Sequence, residues 1–334
     1  MEKLETLNWV QAVPAFIALS VATWLSQAGD LSRPEQIAVL GVTFSASTGL
    51  GRQVAGRRWL LAVLDVLGKG FAIAAGVLLG TLTLGGVSLV WPAMIFGACL
   101  VGALSRLDKA LWWLSIQSWL FFGLSALFFD QAEAPWQLVM LVVATHILVL
   151  GFEHCVIRGL RSWSGFRRWD NVMGVDHEGA PILTMGWQAA QSGVAVALAL
   201  GLALMMGLSR PYWAPMSTLF VLRPDLKATR ASLVTRCVTT VLGCLAATIV
   251  VMVLPGHWVL PVLFVLTGTA AILFLPLGFP VFVALLSATI VLMVTMGNAA
   301  LVENAEVRVI GTLIGGVMAL LTQVVAHVLF RRAV

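Results

Sequence analysis

Charged residues are missing from long stretches of this sequence. No Asp, Glu, Lys or Arg occurs from Gly70 to Ser105 or from Cys237 to Val302, and only 10% of the chain is charged against 60% hydrophobic. Soluble domains carry about 25% charged residues, and about 20 apolar residues allow a helix to cross a membrane. The scarcity of charge excludes an ordinary soluble domain and predicts an all-α, polytopic membrane protein.

Motifs for metal binding and catalysis are also missing. The four cysteines form no Cys-x-x-Cys pair, so they are interpreted as small buried apolar residues. The sequence contains no phosphate loop, no Gly-x-Ser-x-Gly element and no His/Asp/Glu cluster with metal-ligand spacing. We therefore expect no cofactor, no metal and no enzymatic activity. A lipid-modifying enzyme and a non-transporting assembly subunit are the weaker alternatives.

Uncharged segments between charged or Gly/Pro-rich breaks predict about twelve spans. A polar linker at 158–181 separates two six-helix halves, 1–157 and 182–334, and "LSRP" occurs once in each half. A duplicated six-span unit is typical of transporters, although chance similarity between apolar sequences competes with it. The predicted spans lie near 9–26, 36–51, 60–84, 90–105, 110–129, 135–156, 183–207, 211–222, 232–254, 258–275, 279–297 and 307–330.

Lysine and arginine are distributed unevenly between the two sides of this arrangement. With the N-terminus in the cytoplasm, sixteen of the 20 lie on the cytoplasmic side, and only Arg33, Arg210 and Arg308 lie on the other. Positive charge collects on the cytoplasmic side of membrane proteins. The sequence thus predicts that both termini are cytoplasmic, and the basic character does not indicate nucleic-acid binding.

One motif occurs twice in the second half. Arg236-x-x-x-Thr240-x-x-Gly243 recurs as Arg308-x-x-x-Thr312-x-x-Gly315. In the predicted topology these two spans enter the membrane from opposite sides, which is typical of an inverted three-plus-three repeat. Gly243 and Gly315 are expected to let the two helices pack closely on each other.

The segment "PYWAPMSTLFVL", at 211–222, is too short for an ordinary span. Twelve helical residues cover about 18 Å of a hydrocarbon core that is about 30 Å thick. Pro215 is expected to break one backbone hydrogen bond. A half helix lining a cavity and a plain proline-kinked packing helix are both compatible with these residues. Beyond it, Asp225 is expected to cap a helix that starts near Leu226.

The stretch "PYWAPMSTLFVLRPDLKATRASLVTRCVTTVLGCLAA" resembles the signature of the fusaric acid resistance protein-like family, within the aromatic acid exporter superfamily. The segment "RVIGTLIGGVMALL" is similar to the last span of that family, and the resemblance covers about 180–330. It implies secondary export of organic, often aromatic, acids across the bacterial inner membrane. Plant aluminium-activated malate transporters resemble the family distantly, so an anion channel is the alternative function.

Arginine can grip a carboxylate through two parallel hydrogen bonds and can stack on an aromatic ring. Arg236 and Arg308 are expected at the N-terminal ends of their helices, where exposed amides and the helix dipole favour anions. A purely topological or snorkelling role for both arginines is the alternative. The predicted organic-anion pathway consists of Tyr212, Trp213, Thr218, Arg236, Thr240, Arg308 and Thr312.

A second group of polar residues lies in predicted spans of the first half. Asp65 and Lys69 are one helical turn apart and can neutralise each other. His146 is either a buried histidine satisfied by a backbone carbonyl or, with Asp65 and Glu153, part of a proton relay. The expected partners are a small organic anion and the lipid bilayer, with a homodimer and a periplasmic adaptor left open and no nucleic acid.

Overall fold

The computed structural model describes residues 7–29, 31–48, 58–128, 135–163, 182–223, 225–254, 256, 258–298 and 300–331. Within them the chain forms twelve α-helices, one at each predicted span. The helices are α1 (Trp9–Ala28), α2 (Arg33–Thr48), α3 (Arg58–Gly80), α4 (Val90–Leu104), α5 (Lys109–Phe128), α6 (Pro135–Trp163), α7 (Ile182–Met205), α8 (Trp213–Val221), α9 (Leu226–Val253), α10 (Val259–Leu273), α11 (Phe279–Asn298) and α12 (Leu301–Arg331).

Seven of these helices, α1, α3, α6, α7, α9, α11 and α12, are long and apolar enough to cross a membrane. The helices α4 and α10 are also apolar, but each has 15 residues. The prediction of an all-α membrane architecture is confirmed at this level. Twelve crossings in two six-helix halves remain a prediction.

The sequence placed the end of the third span too late. Helix α3 ends at Gly80, and a two-stranded antiparallel hairpin follows, with β1 at Thr83–Leu84 and β2 at Val87–Ser88. Gly85 and Gly86 join the strands with positive φ angles of 59° and 82°. Two successive residues with positive φ favour glycine and form the tight turn of a hairpin. Hydropathy alone does not detect this turn, because Leu84 and Val87 are as apolar as the helix before them.

Helices α9 and α12 begin earlier than the uncharged segments that predicted them. Arg236 lies ten residues after the start of α9, and Arg308 lies seven residues after the start of α12. The prediction that these arginines occupy helix N-terminal ends is wrong. Lys, Arg and Glu are good helix formers, so Lys227 and Arg230 before Arg236, and Glu303 and Glu306 before Arg308, extend the helix instead of ending it. The start of α9 at Leu226 is as predicted, and the Asp225 carboxylate accepts a 2.7 Å hydrogen bond from the amide of Ala228.

The chain divides into two compact units. The first consists of described residues within Met1–Gly70, Asp130–Gly174 and Leu242–Ala305, and the second of those within Phe71–Phe129, Val175–Val241 and Glu306–Val334. Three of the five boundaries along the chain fall within α3, α9 and α12, so these three helices contribute residues to both units. In the second unit, small side chains of α7 pack against Ala214 of α8 and Ile314 of α12.

The two repeated motifs place their glycines against similar partners. A Cβ atom at Gly315 would overlap the carbonyl oxygen of Ala214 and approach Ser217, both on α8. A Cβ atom at Gly243 would overlap the carbonyl oxygen of Ala284 and approach Ser287, both on α11.

Each motif glycine therefore packs on an Ala-x-x-Ser segment. Gly315 of α12 packs on the segment in α8, and Gly243 of α9 packs on the segment in α11. This reciprocal pattern accords with the inverted repeat, which remains a prediction. The expected direct packing of Gly243 on Gly315 is not observed, and α12 meets α9 through Gly316 and Leu233 instead.

Candidate functional site

Helix α8 is a short, fully enclosed helix. Its nine residues span about 13.5 Å, less than half of a hydrocarbon core of about 30 Å. All nine are buried, and the backbone is extended at Leu222, where the helix ends. The predicted half helix is thus confirmed in length. A helix without an exposed face cannot be an ordinary lipid-facing span, so this segment is surrounded by protein.

Pro215 does not disrupt α8. It is the third residue of the helix, and the first four amides of any helix have no intrahelical partner. The Pro211 carbonyl, which an amide at position 215 would have reached, accepts a hydrogen bond from the amide of Ala214 at 3.3 Å. The expected broken hydrogen bond is therefore wrong, because the proline falls where no amide is needed.

Helix α8 is held against α12 at very short range. Besides the contact at Gly315, the Thr218 hydroxyl lies 3.0 Å from the carbonyl oxygen of Ala214 and 3.1 Å from that of Gly315. The Ser217 hydroxyl lies 3.3 Å from the Thr312 hydroxyl, which donates to the carbonyl of Arg308 at 2.9 Å. Thr218 and Thr312, both predicted pathway residues, thus meet at this interface and fix the register of the two helices.

Arg308 is buried between α12 and α8. Its side chain is fully inaccessible, and its guanidinium carbon lies 4.1 Å from the centroid of the Trp213 ring. One terminal nitrogen of the guanidinium lies 4.0 Å from the sulfur of Met216. The Tyr212 ring is next to Trp213, with 4.8 Å between centroids. The face of this arginine is therefore covered by an aromatic ring, as in a cation–π contact.

Arg236 is placed in a similar way. Only 2% of its surface is exposed, and its guanidinium carbon lies 4.5 Å from the centroid of the Phe220 ring. Its three guanidinium nitrogens make no hydrogen bond with any residue that the structure describes. Stacking occupies the face of a guanidinium, whereas its N–H donors lie in the plane. The in-plane donors of Arg236 are thus not satisfied by the protein atoms that the structure describes.

The charges around Arg236 have the same sign as its own. Its guanidinium interacts electrostatically with those of Arg308 and Arg223, and Arg223 itself lies 5.7 Å from the Trp112 ring. No carboxylate among the described residues forms an ion pair with Arg236. The second unit therefore contains a buried positive region with aromatic walls, which we call the arginine site: Trp213, Phe220, Arg236 and Arg308.

The remaining predicted pathway residues lie near this site or within reach of it along a helix. Thr240 is buried one turn beyond Arg236 on α9. The Tyr212 hydroxyl and the Trp213 indole nitrogen are buried and make no hydrogen bond with the described residues. Buried hydroxyl and indole groups usually have a partner, so these atoms are also suited to a polar ligand.

Phe220 was not predicted as a site residue. It lies seven residues, or two helical turns, after Trp213, so both rings project from one face of α8. Each ring covers one arginine: the Trp213 ring covers Arg308 of α12, and the Phe220 ring covers Arg236 of α9. The seven-residue spacing of two aromatic rings was the signal available in the sequence. It was hidden because every residue between them is also apolar or small.

The predicted proton-coupling residues lie in the first unit. Asp65 forms an ion pair with Lys69, with 2.8 Å between Oδ1 and Nζ. The other carboxylate oxygen of Asp65, Oδ2, lies 3.2 Å from Nε2 of His146. Lys69 and His146 are fully buried and Asp65 nearly so. The predicted pair of Asp65 and Lys69 is confirmed, and α6 adds a histidine to it. Glu153 is buried two turns beyond His146 on the same helix.

The described residues contain no group of three or more His, Cys, Asp or Glu side chains that could hold a metal ion. All four cysteines lie in the described part of the chain and are free thiols. Only Cys244 is buried, whereas Cys99 and Cys237 are partly exposed and Cys155 is exposed, so the interpretation of all four as buried residues is wrong.

Comparison with known proteins agrees with this arrangement. The model of the fusaric acid resistance protein-like family matches residues 195–322. The matched segment starts in α7 and ends in α12, so it contains α8 and both arginines of the arginine site. No curated protein and no solved structure shows significant similarity to the chain. With seven apolar helices, these findings describe a multi-pass membrane protein of the transporter type, in which residues 195–322 match the fusaric acid resistance protein-like model.

Proposed function

We propose that this protein exports organic carboxylates, chiefly aromatic ones, across the bacterial inner membrane by secondary transport. The observation that carries the proposal is the buried guanidinium of Arg236, which is stacked on Phe220 and has no hydrogen-bond partner among the described residues. The arginine site, with Arg308 on Trp213, is the proposed substrate-binding part of the pathway. A carboxylate would supply hydrogen-bond acceptors and a negative charge to Arg236.

The energetics favour an anion at this site. An arginine in the middle of a membrane is unfavourable by about 2.5–3.5 kcal/mol on insertion scales, and two of them here repel each other. Snorkelling lowers this penalty only when the charged end reaches the interface. The guanidinium groups of Arg236 and Arg308 are instead enclosed by protein. A bound carboxylate offsets the repulsion and pairs with the in-plane donors of either arginine.

The aromatic walls favour a substrate with a ring. Trp213 and Phe220 cover the arginines, and Tyr212 and Trp113 extend the aromatic surface at 4.8 Å and 6.5 Å between ring centroids. Offset or edge-to-face contacts between aromatic rings contribute about 0.5–1.5 kcal/mol each beyond the burial of area. An aromatic acid would use both the charge and the rings, whereas an aliphatic acid would use only the charge.

This function is tested with the purified protein in proteoliposomes and a panel of radiolabelled solutes. We expect counterflow of benzoate and related aromatic carboxylates, weaker counterflow of aliphatic carboxylates, and none of the neutral benzamide. Flux of anions without counterflow, insensitive to a protonophore, would indicate a channel instead. The absence of any anion flux would contradict the proposal.

We propose that the cluster of Asp65, Lys69 and His146 couples transport to protons. Its carboxylate contacts two basic groups in a buried setting, and buried ionisable residues in membrane proteins often form proton relays. We expect Asp65→Asn to weaken the dependence of transport on the proton gradient. The measurement is the rate of benzoate export as a function of the imposed pH difference.

A second variant separates coupling from folding in this cluster. Asp65→Asn alone removes the carboxylate that pairs with Lys69, and breaking a buried ion pair costs about 3–5 kcal/mol. The double variant Asp65→Asn/Lys69→Gln removes both charges, so it is expected to fold and to show the same loss of pH dependence. A folded double variant with the wild-type pH dependence would show that the cluster is structural.

We also propose that both termini are cytoplasmic, since the predicted topology puts fifteen Lys and Arg residues on that side and two on the other when Arg236 and Arg308 of the arginine site are left out. A C-terminal green fluorescent protein fusion should fluoresce, and a C-terminal alkaline phosphatase fusion should be inactive. The opposite pattern would reverse the orientation.

A further inference from the structure

A cleft of about 740 Å³ opens in the second unit, where three helix ends meet. It lies between the beginning of α7, the beginning of α9 and the end of α12. Its walls include Trp187 of α7, Lys227 and Arg230 of α9, and Gln323 and His327 of α12. Small-molecule sites commonly have volumes of about 300–1,000 Å³, so the cleft has the size of a ligand site.

The cleft carries positive charge that the described residues do not neutralise by ion pairing. Lys227 and Arg230 are exposed and form no ion pair with any described residue. Asp225 also lines the cleft, where its carboxylate accepts a hydrogen bond from the amide of Ala228, so two cations and one carboxylate leave the cleft with a net positive charge. The two basic side chains thus present their donors to the cleft.

An aromatic wall and a polar floor complete the cleft. Trp187 is 38% exposed and supplies an apolar surface beside the two cations. Gln323 is buried at the floor, where it accepts a hydrogen bond from the amide nitrogen of Gln191. A cation pair, an indole face and a fixed amide together match an oxyanion attached to an apolar body.

We propose that this cleft is a loading site that binds an anion before it reaches the arginine site. The ligand class is an oxyanion with an apolar body, either the carboxylate of a soluble aromatic acid or the phosphate of an anionic lipid. The proposal rests on the proposed function for the direction of travel, since the three helix ends are those predicted to be cytoplasmic. Binding itself does not depend on that function.

The cleft is separated from the arginine site by an apolar layer. His327, Gln323, Ala319, Gly315, Thr312 and Arg308 follow one face of α12 at intervals of three or four residues. From Gln323 to Arg308 this face extends about 22 Å. Between them, Ala319 packs against the buried side chains of Val221 and Leu222 and the partly buried side chain of Leu233, so the contacts there are apolar. The two sites are therefore distinct, and their affinities can be measured separately.

The experiment is titration calorimetry of benzoate into the purified full chain in detergent without added lipid, with benzamide as the neutral comparison. We expect Lys227→Gln/Arg230→Gln to lower the affinity about three- to tenfold. Arg33→Gln removes an exposed arginine outside the cleft and should bind like the wild type. In Arg236→Gln/Arg308→Gln, one binding event that depends on Lys227 and Arg230 should persist.

Several results would overturn the loading site. These are an unchanged affinity in Lys227→Gln/Arg230→Gln, the loss of all binding in Arg236→Gln/Arg308→Gln, and a wild-type protein that binds no benzoate. Persistent cleft binding with undiminished transport in Arg236→Gln/Arg308→Gln would support the cleft and contradict the arginine site instead. The two proposals therefore fail separately.

A competition arm identifies the source of the anion. Short-chain phosphatidylglycerol is titrated against benzoate, with short-chain phosphatidylcholine as the control. If phosphatidylglycerol displaces bound benzoate at a concentration below the dissociation constant of benzoate, the ligand of the cleft is an anionic lipid. Weak displacement would assign it to the soluble acid. In both cases Lys227→Gln/Arg230→Gln should lower the affinity for whichever of the two ligands binds the wild-type protein more tightly.

Discussion

Arg236→Gln and Arg308→Gln should each lose most organic-anion transport while the protein still inserts and folds. A hydrogen bond to a charged group contributes about 1.5–3 kcal/mol, which corresponds to about a 10- to 150-fold loss for each arginine that holds the carboxylate. Folding should be little affected, because each variant removes a buried charge and one partner of a repulsive pair. The measurement is benzoate counterflow in proteoliposomes at matched protein content.

Two controls refine this prediction. Arg33→Gln removes an exposed arginine far along the chain and should leave transport unchanged. Arg236→Lys keeps the charge but loses the planar fork, so it should retain only part of the activity. If Arg236→Gln and Arg308→Gln both transport at the wild-type rate, the arginine site does not lie on the pathway. A lysine variant equal to the wild type would show that charge alone matters there.

Gly315→Ala is expected to have the largest effect on stability of any small change in the second unit. Its Cβ would overlap the Ala214 carbonyl oxygen and lie 2.8 Å from the amide nitrogen of Thr218. These atoms are backbone, so relief requires α8 and α12 to separate. Overpacking of a close-packed interior costs about 1–3 kcal/mol, and a shift of α8 also displaces Trp213 and Phe220. We expect a lower midpoint of thermal unfolding together with reduced transport.

The matched control for this glycine is Gly201→Ala in α7. A Cβ at Gly201 would meet no atom within 4 Å. Alanine within a helix is more stable than glycine by about 0.5–1 kcal/mol, so Gly201→Ala should unfold at the same temperature or slightly higher. Gly243→Ala, which faces the Ala284 carbonyl, should behave like Gly315→Ala. A stable, active Gly315→Ala protein would contradict the close contact between α8 and α12.

The positions of the helices could be predicted because length and hydropathy determine where an apolar segment can lie. The short α8 followed from twelve uncharged residues between arginines. The apolar run did not locate the starts of α9 and α12, since charge marks the end of that run and not the end of the helix. The start of α9 was predicted from the Asp225 cap instead. Arg236 and Arg308 were therefore placed at helix ends, where the structure has continuous helix.

The candidate site was predictable in its charges and not in its aromatic partners. Two arginines in an apolar environment are conspicuous in any sequence. Phe220 is one of 16 phenylalanines, and nothing local distinguishes it from those that only fill space. The meeting of α3 with α6 at Asp65 and His146 depends on tertiary packing between segments about 80 residues apart in the chain. The same holds for the packing of Gly315 on α8, which is separated from it by about 100 residues.

The shortness of α8 has a consequence for how the protein is made. A segment leaves the translocon for the bilayer when its apolar length is close to the membrane thickness, about 20 residues. Nine residues fall well below this length, and the groups that enclose α8, above all the backbone at Gly315, are synthesised about 100 residues later. We therefore expect α8 to remain near the membrane interface or inside the insertion machinery until α12 emerges from the ribosome. In a chain whose four native cysteines are replaced and which carries Ser217→Cys in α8, a ribosome stalled before Gly315 should leave that cysteine open to labelling reagents. Release of the complete chain should protect it.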